Sequence, residues 1–151
     1  MKPAYSFFLA SAALVAASIS LAHAQDKSNE NKNAAVYTEL GKAPEKARNR
    51  ANPIENDPDS IAAGRLLFED HCAECHGETA EGGKGRKKGP SLRAPEVQNA
   101  TPGTLFWLLT NGVVRKGMPV WSRLPEPQRW QLVRYLKSLG VAQSSVAESK
   151  P

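Results

Sequence analysis

Cys72-Ala73-Glu74-Cys75-His76 is the stretch on which the reading of this chain turns. Two thiols three residues apart on one helical turn can each form a thioether to a haem vinyl group. The histidine that follows then stands beneath the iron as an axial ligand, and C-x-x-C-H is the signature of c-type haem attachment. The stretch takes both cysteines of the 151-residue sequence, so Cys72 and Cys75 are the candidate covalent anchors and His76 the candidate iron ligand of one haem c.

Working outward, the iron needs a second axial ligand if it is to move electrons without binding other molecules. Met118, in Gly117-Met118-Pro119, is the only methionine besides the initiator. Its other reading is a flexible side chain filling a core gap, for which a Gly-Met-Pro loop is a poor place. His71 directly precedes Cys72 and lies on the attachment side, so it cannot reach the opposite face of the iron; its ordinary role is an exposed or helix-packing histidine. Lys116, or a lysine among 84, 87 and 88, would replace methionine only at high pH or after loop rearrangement. Between the two ligands runs Gly89-Pro90-Ser91-Leu92. Metal-bound histidines usually donate the free ring N–H to a nearby acceptor, and the Pro90 carbonyl is the candidate for His76; by itself Gly-Pro is only a turn. Arg93, Trp107, Asn111 and Trp121 are candidate donors to the haem propionates, Arg93 and Trp121 ahead of the others. Each has an alternative as core or surface.

Export sets the compartment. Lys2 followed by the uncharged, apolar and small-residue stretch from Tyr5 to Leu21 and by Ala22-His23-Ala24 reads as a signal peptide cleaved after Ala24, which makes the protein periplasmic. The alternative is an uncleaved anchor, for which the stretch is at the short end of the ~20 residues a span takes. In an oxidising compartment two cysteines ordinarily suggest a disulfide, but a bridge closing so small a loop constrains the unfolded chain little. No other segment is apolar enough to span a membrane. Of the charged residues, removal of 1–24 takes only Lys2, leaving 19 basic against 15 acidic groups. That mild excess, with few aromatics and no Arg-rich helix, excludes a nucleic-acid-binding surface.

The expected organisation is a signal peptide at 1–24, a polar leader at 25–56 that is either flexible or an arm lying over the surface, a folded domain at 57–140, and a polar tail at 141–151. The fold class is all-α, with about three main helices and no convincing strand. The first begins at Asp57-Pro58, an N-cap acid followed by proline at N1, and runs through Ile61, Gly64 and Phe68 into the haem motif. The second begins at Thr101-Pro102 and stops at Asn111-Gly112. The third starts near Pro127, repeats Leu132, Tyr135, Leu136 and Leu139 at helical spacing, and ends at Gly140 as a C′ glycine. A core this small commonly needs a staple, and a covalent haem is one. Apo-protein should therefore be poorly folded.

These motifs, in this order, resemble the class I c-type cytochromes of the short bacterial monohaem kind: Cys72-x-x-Cys75-His76, Gly89-Pro90-Ser91-Leu92, Gly117-Met118-Pro119 and Leu132-x-x-Tyr135-Leu136, over residues 57–140. Met118 follows His76 by 42 positions, which is similar to the compact bacterial forms. The resemblance implies a small cytochrome c fold, with the first and last helices crossing at Gly64 and Phe68 against Leu132 and Tyr135, and haem buried except for one edge. The stretch Thr101 to Trp121, with Leu124-Pro-Glu-Pro-Gln-Arg-Trp130 after it, is similar to cytochromes that accept electrons from periplasmic quinoprotein dehydrogenases. The leader has no counterpart in the family pattern.

Function follows as one-electron transfer between redox protein partners, by a monomer or by a subunit of a redox complex, with no substrate chemistry of its own. A haem enzyme or gas sensor would need an open sixth position, which Met118 argues against. A zinc site would need a second nearby ligand pair, and a thioredoxin-like site a βαβ context. The run Lys84-Gly85-Arg86-Lys87-Lys88 is a solvated loop or, alternatively, a patch that steers an acidic partner at low salt.

Overall fold

A computed structural model describes residues 37–83, 85 and 89–148. The expected signal peptide, the first part of the leader, Lys84, Arg86, Lys87, Lys88 and residues 149–151 lie outside the described residues. Among the described residues all regular elements are helical. A 3-10 turn, Thr38–Lys42, leads to α1, a single turn at Glu45–Arg48. Next come α2 at Ser60–His71, the short α3 at Ala73–His76, α4 at Pro95–Gln98 and α5 at Pro102–Asn111. A second 3-10 turn, Val114–Lys116, precedes α6 at Glu126–Glu148.

Helix α2 starts later than the Asp57-Pro58 pair suggests. Asp57 Oδ1 accepts from the Asp59 N–H at 3.0 Å, and its carbonyl accepts from the Ser60 hydroxyl at 2.6 Å. The aspartate thus closes a turn of its own ahead of the helix, a competing use of an Asx side chain. Helix α5 has the expected ends: Thr101 Oγ1 caps the Thr104 N–H at 3.2 Å, and Gly112 at φ 64° terminates it. Helix α6 runs past Gly140 to Glu148, so that glycine is no stop signal. A Cβ there would lie 2.5 Å from Gln98 Oε1; the position is small because α4 leans on it, with Gln98 Nε2 donating to Leu92 O at 2.6 Å and to Leu136 O at 3.1 Å.

The frame that positions the site is the crossing of α2 and α6. A Cβ on Gly64 would fall 2.0 Å from Gln131 O and 2.9 Å from Tyr135 Cβ, so the two backbones meet at a distance that excludes any side chain at 64. One turn on, Phe68 is fully buried, its ring 5.3 Å from that of Tyr135. Leu105, Phe106 and Leu109 of α5 and Trp130, Leu132, Val133, Leu136 and Leu139 of α6 complete the core with Val97 of α4.

Residues 37–56 lie against the helical frame. Ala43 and Asn52 are buried. Asn52 Nδ2 donates to Trp130 O at 3.1 Å, and its Oδ1 accepts from Ile54 N–H at 3.0 Å. A Cβ on Gly103 would meet Ala47 O at 2.0 Å, so α1 presses directly on the start of α5. The Arg50 guanidinium lies 4.6 Å over the Phe106 ring and pairs with Glu126 at 2.7 Å. A segment seated by a few apolar side chains and otherwise by backbone and polar contacts shows no sustained hydrophobic period, which is why composition alone reads as a leader.

Candidate haem site

Helix α2 delivers Cys72, whose N–H still bonds to Phe68 O at 2.8 Å. The chain then bends at Cys72 (φ −121°) into α3, where the N–H groups of Cys75 and His76 both bond to Cys72 O, at 3.1 and 2.9 Å. Cys72, Cys75 and His76 therefore share one tight turn. Both thiols are free and partly buried. Burial, with the neighbouring Cys75, pushes the Cys72 thiol up to about 12. That keeps it protonated at neutral pH, unlike the thiolate that thiol–disulfide chemistry requires.

Gly77 at φ 79° ends α3, and the loop that follows closes on the histidine. Gly82 N–H bonds to His76 O at 2.8 Å and Gly89 N–H to Cys75 O at 2.7 Å. His76 Nδ1 lies 2.8 Å from Pro90 O. A carbonyl only accepts, so Nδ1 carries the proton and the Nε2 lone pair is left for a metal. A Cβ on Gly89 would sit 2.9 Å from both His76 Cε1 and Nδ1, so the glycine lets the loop lie flat against the ring. Burial lowers the His76 pKa, and the bond to Pro90 opposes this.

Met118 stands on a loop held just as tightly. Val113 N–H donates to Met118 O at 3.0 Å, and Met118 N–H to Val113 O at 3.2 Å, an isolated antiparallel pair that encloses the 3-10 turn. Gly117 takes φ 87° at its end. At Gly112 a Cβ would meet Pro119 O at 2.5 Å and Met118 O at 2.9 Å, so the end of α5 abuts the methionine loop. Trp121 N–H closes the far side on Leu109 O at 3.0 Å. The Trp121 ring lies 5.2 Å from that of His71, which brings the loop carrying Met118 beside the helix end carrying Cys72. Cys72, Ala73, Leu92, Met118 and Trp121 all pack against the same apolar core.

Two of the propionate candidates donate to backbone carbonyls. Arg93 donates through Nε to Thr79 O at 2.6 Å and through Nη1 to Leu139 O at 3.3 Å, fastening its loop to α6. Asn111 Nδ2 donates to Trp107 O at 2.8 Å. Trp121 faces His71, a pairing for which the sequence holds no signal, because the two are brought together only by the fold.

The donor set fits a covalently held haem. Two partly buried thiols share a turn with an imidazole whose outer nitrogen is already bonded, and a thioether loop adjoins that turn through the His71–Trp121 contact.

A family model described as cytochrome c oxidase, cbb3-type, subunit III matches residues 59–136, more than half of the chain. A cbb3-type cytochrome c oxidase subunit CcoP of Azospirillum sp. (strain B510) is 34% identical over 91 residues, covering 56% of this chain and 30% of that protein. The subunit of the same name from Azospirillum brasilense is 33% identical over 95 residues, covering 59% of this chain and 32% of that protein. The chain thus spans about a third of the length of the curated relatives it matches. Both relatives are oxidase subunits; the expected similarity to cytochromes serving quinoprotein dehydrogenases has no counterpart in them.

Proposed function

The chain belongs to the family of cytochrome c oxidase, cbb3-type, subunit III, and from that premise we propose that it is a single-haem electron-transfer module working with components of an oxidase-type redox complex. The observation that carries this is the 2.8 Å contact of His76 Nδ1 with Pro90 O, which leaves Nε2 as the coordinating atom beside two available thiols. When bound, the haem supplies one-electron chemistry between ferric and ferrous iron.

The chain's own residues do the rest. Cys72 and Cys75 would anchor the haem covalently, and His76, its ring held by Pro90, would ligate the iron. Met118, its loop held by the Val113 pair and by Gly112, would be the second iron ligand. A thioether and an imidazole as the two ligands would favour a comparatively high potential. Two ligands on braced loops move little when the charge changes. Residues 1–24 direct export with cleavage after Ala24, so the module works in the periplasm. A quinoprotein dehydrogenase is the other donor class suggested by residues 101–130; membership of an oxidase family favours oxidase components instead.

The test is an optical spectrum of the exported, purified protein, ferric and ferrous, with carbon monoxide added to the reduced sample. Sharp low-spin c-type bands indifferent to carbon monoxide are expected. In Met118→Ala the haem stays covalent, carbon monoxide binds and the potential falls. An unchanged potential in that variant removes Met118 from the iron, and a carbon-monoxide-binding parent turns the reading toward catalysis or sensing.

A further inference from the structure

The 3-10 turn Thr38–Lys42 touches both loops that carry the proposed iron ligands. At its near end the Tyr37 hydroxyl donates to Ser91 O at 2.8 Å, one residue beyond the carbonyl that binds His76. Two residues further, the Glu39 carboxylate pairs with Arg115 at 3.2 Å and Lys116 at 3.7 Å, in the turn that leads into Gly117-Met118. Lys42 adds a third contact to the same oxygen at 2.8 Å. The Glu39 side chain is only 14% exposed, whereas that of Arg115 is 76% exposed, so the cations fold inward over a covered carboxylate. The Lys42 hydrogen bond first, then the charges of Lys42, Lys116 and Arg115, hold that carboxyl below the usual range. Tyr37 and Leu40 pack on the apolar core and Ala43 is buried just after them, so the segment is seated from beneath as well.

We infer that Tyr37–Lys42 is a strap spanning from the His76 loop to the Met118 turn, and that Tyr37 and Glu39 are positioning residues for the iron's sixth ligand. This rests on the reading of His76 and Met118 as the axial pair. Met118 leaves the iron only if the turn 114–117 swings outward. That movement parts Arg115 and Lys116 from Glu39, or else pulls the strap and with it Ser91. The strap therefore slows exchange of Met118 for small ligands.

The experiment uses the haem-loaded full chain and imidazole as the probe. Displacement of Met118 from ferric iron is followed by loss of the near-infrared sulfur-to-iron band, in the parent, Glu39→Gln and Tyr37→Phe. Glu39→Gln should accelerate displacement about twofold to fivefold, the range exposed ion pairs supply. Tyr37→Phe should do so about twofold to tenfold, the range of one hydrogen bond. Salt screens charges at a surface, so the parent rate should rise with ionic strength while that of Glu39→Gln does not. A strap of purely structural use would lower the melting temperature with no change in these rates, and that result overturns the inference. So does acceleration in only one of the two variants, since a bridge needs both ends. If the parent lacks the sulfur-to-iron band, the axial-pair reading fails and the strap's role with it; a parent that shows the band with variants that exchange at its rate sinks the strap alone.

Discussion

Gly89→Ala tests the site at its narrowest point. The new Cβ would lie 2.9 Å from His76 Nδ1 and Cε1 and 2.8 Å from Cys75 O, when ordinary contact with these atoms needs about half an ångström more. The histidine cannot yield easily, because its turn is fixed through the Cys72 carbonyl and, when loaded, through the haem. The loop must retreat instead. A retreat of about half an ångström takes the 2.8 Å Nδ1–Pro90 contact to the outer edge of the ~2.7–3.2 Å range of a good N–H···O bond. Such a bond has a net worth of about 0.5–1.5 kcal/mol. If the loss falls wholly on one oxidation state, the shift is about 20–60 mV, since tenfold is about 59 mV for one electron. The direction is upward: a histidine deprived of its acceptor is less basic and supports ferric iron less. The assay is spectroelectrochemical titration of parent and variant with the covalent haem content measured alongside. A potential within about 10 mV of the parent in a fully loaded variant would show that the Pro90 contact does not tune the ligand.

Three further outcomes are expected. Gly64→Ala forces the α2–α6 crossing apart at Gln131 O; overpacking of about 3 kcal/mol less about 1 kcal/mol of helix propensity leaves a melting temperature lower by about 8–16 °C. Gly41→Ala, which has nothing within 4 Å, is the control, and equal melting temperatures for the two would refute the crossing argument. Gly103→Ala drives a Cβ into Ala47 O and should expose residues 43–52 to limited proteolysis while leaving the haem spectrum intact; unchanged cleavage would mean that the segment is held by something else. The carboxyls of Glu39 and Glu126 are held below their ordinary value of 4.5, by the hydrogen bonds of Lys42 and of Arg50 respectively. With folded values lowered, the unfolded chain takes up protons first, so this stability is full above that ordinary value and is lost as pH falls through the lowered ones. Urea midpoints between about pH 6 and pH 3 should therefore fall, and fall less steeply in Glu126→Gln.

What could be read from the chain divides by the range of the contacts. The ends of α5 are written locally, in the Thr101 cap, Pro102 and Gly112, and the structure keeps them. The α2–α6 crossing at Gly64 and Phe68 came with the family resemblance and is there. Local signals misled where the residue served a distant partner. Gly140 looked like a helix stop but makes room for Gln98, and Asp57 looked like a cap but closes its own turn. The segment 37–56 is hard to read because, beside a few apolar contacts by Tyr37, Leu40 and Ile54, its attachments are single polar bonds over long separations, 78 positions from Asn52 to Trp130 and 54 from Tyr37 to Ser91. No periodicity encodes such pairs.

The two loops that carry His76 and Met118 show how so few helices hold two candidate ligands in place. A loop is mobile when water satisfies its backbone. Here the chain satisfies it instead: Gly82 bonds to His76 O, Gly83 to Gly89 O, Gly89 to Cys75 O and Leu92 to Ala80 O, while Val113 and Met118 exchange both of their bonds. The backbones can approach because glycines stand where they touch, at 89 on one side and at 112 on the other. A side chain at 89 or 112 would crowd a carbonyl of the neighbouring loop. Rigidity around His76 and Met118 thus comes from residues that have no side chain, and the two owe their geometry to neighbours that contribute no candidate ligand atom.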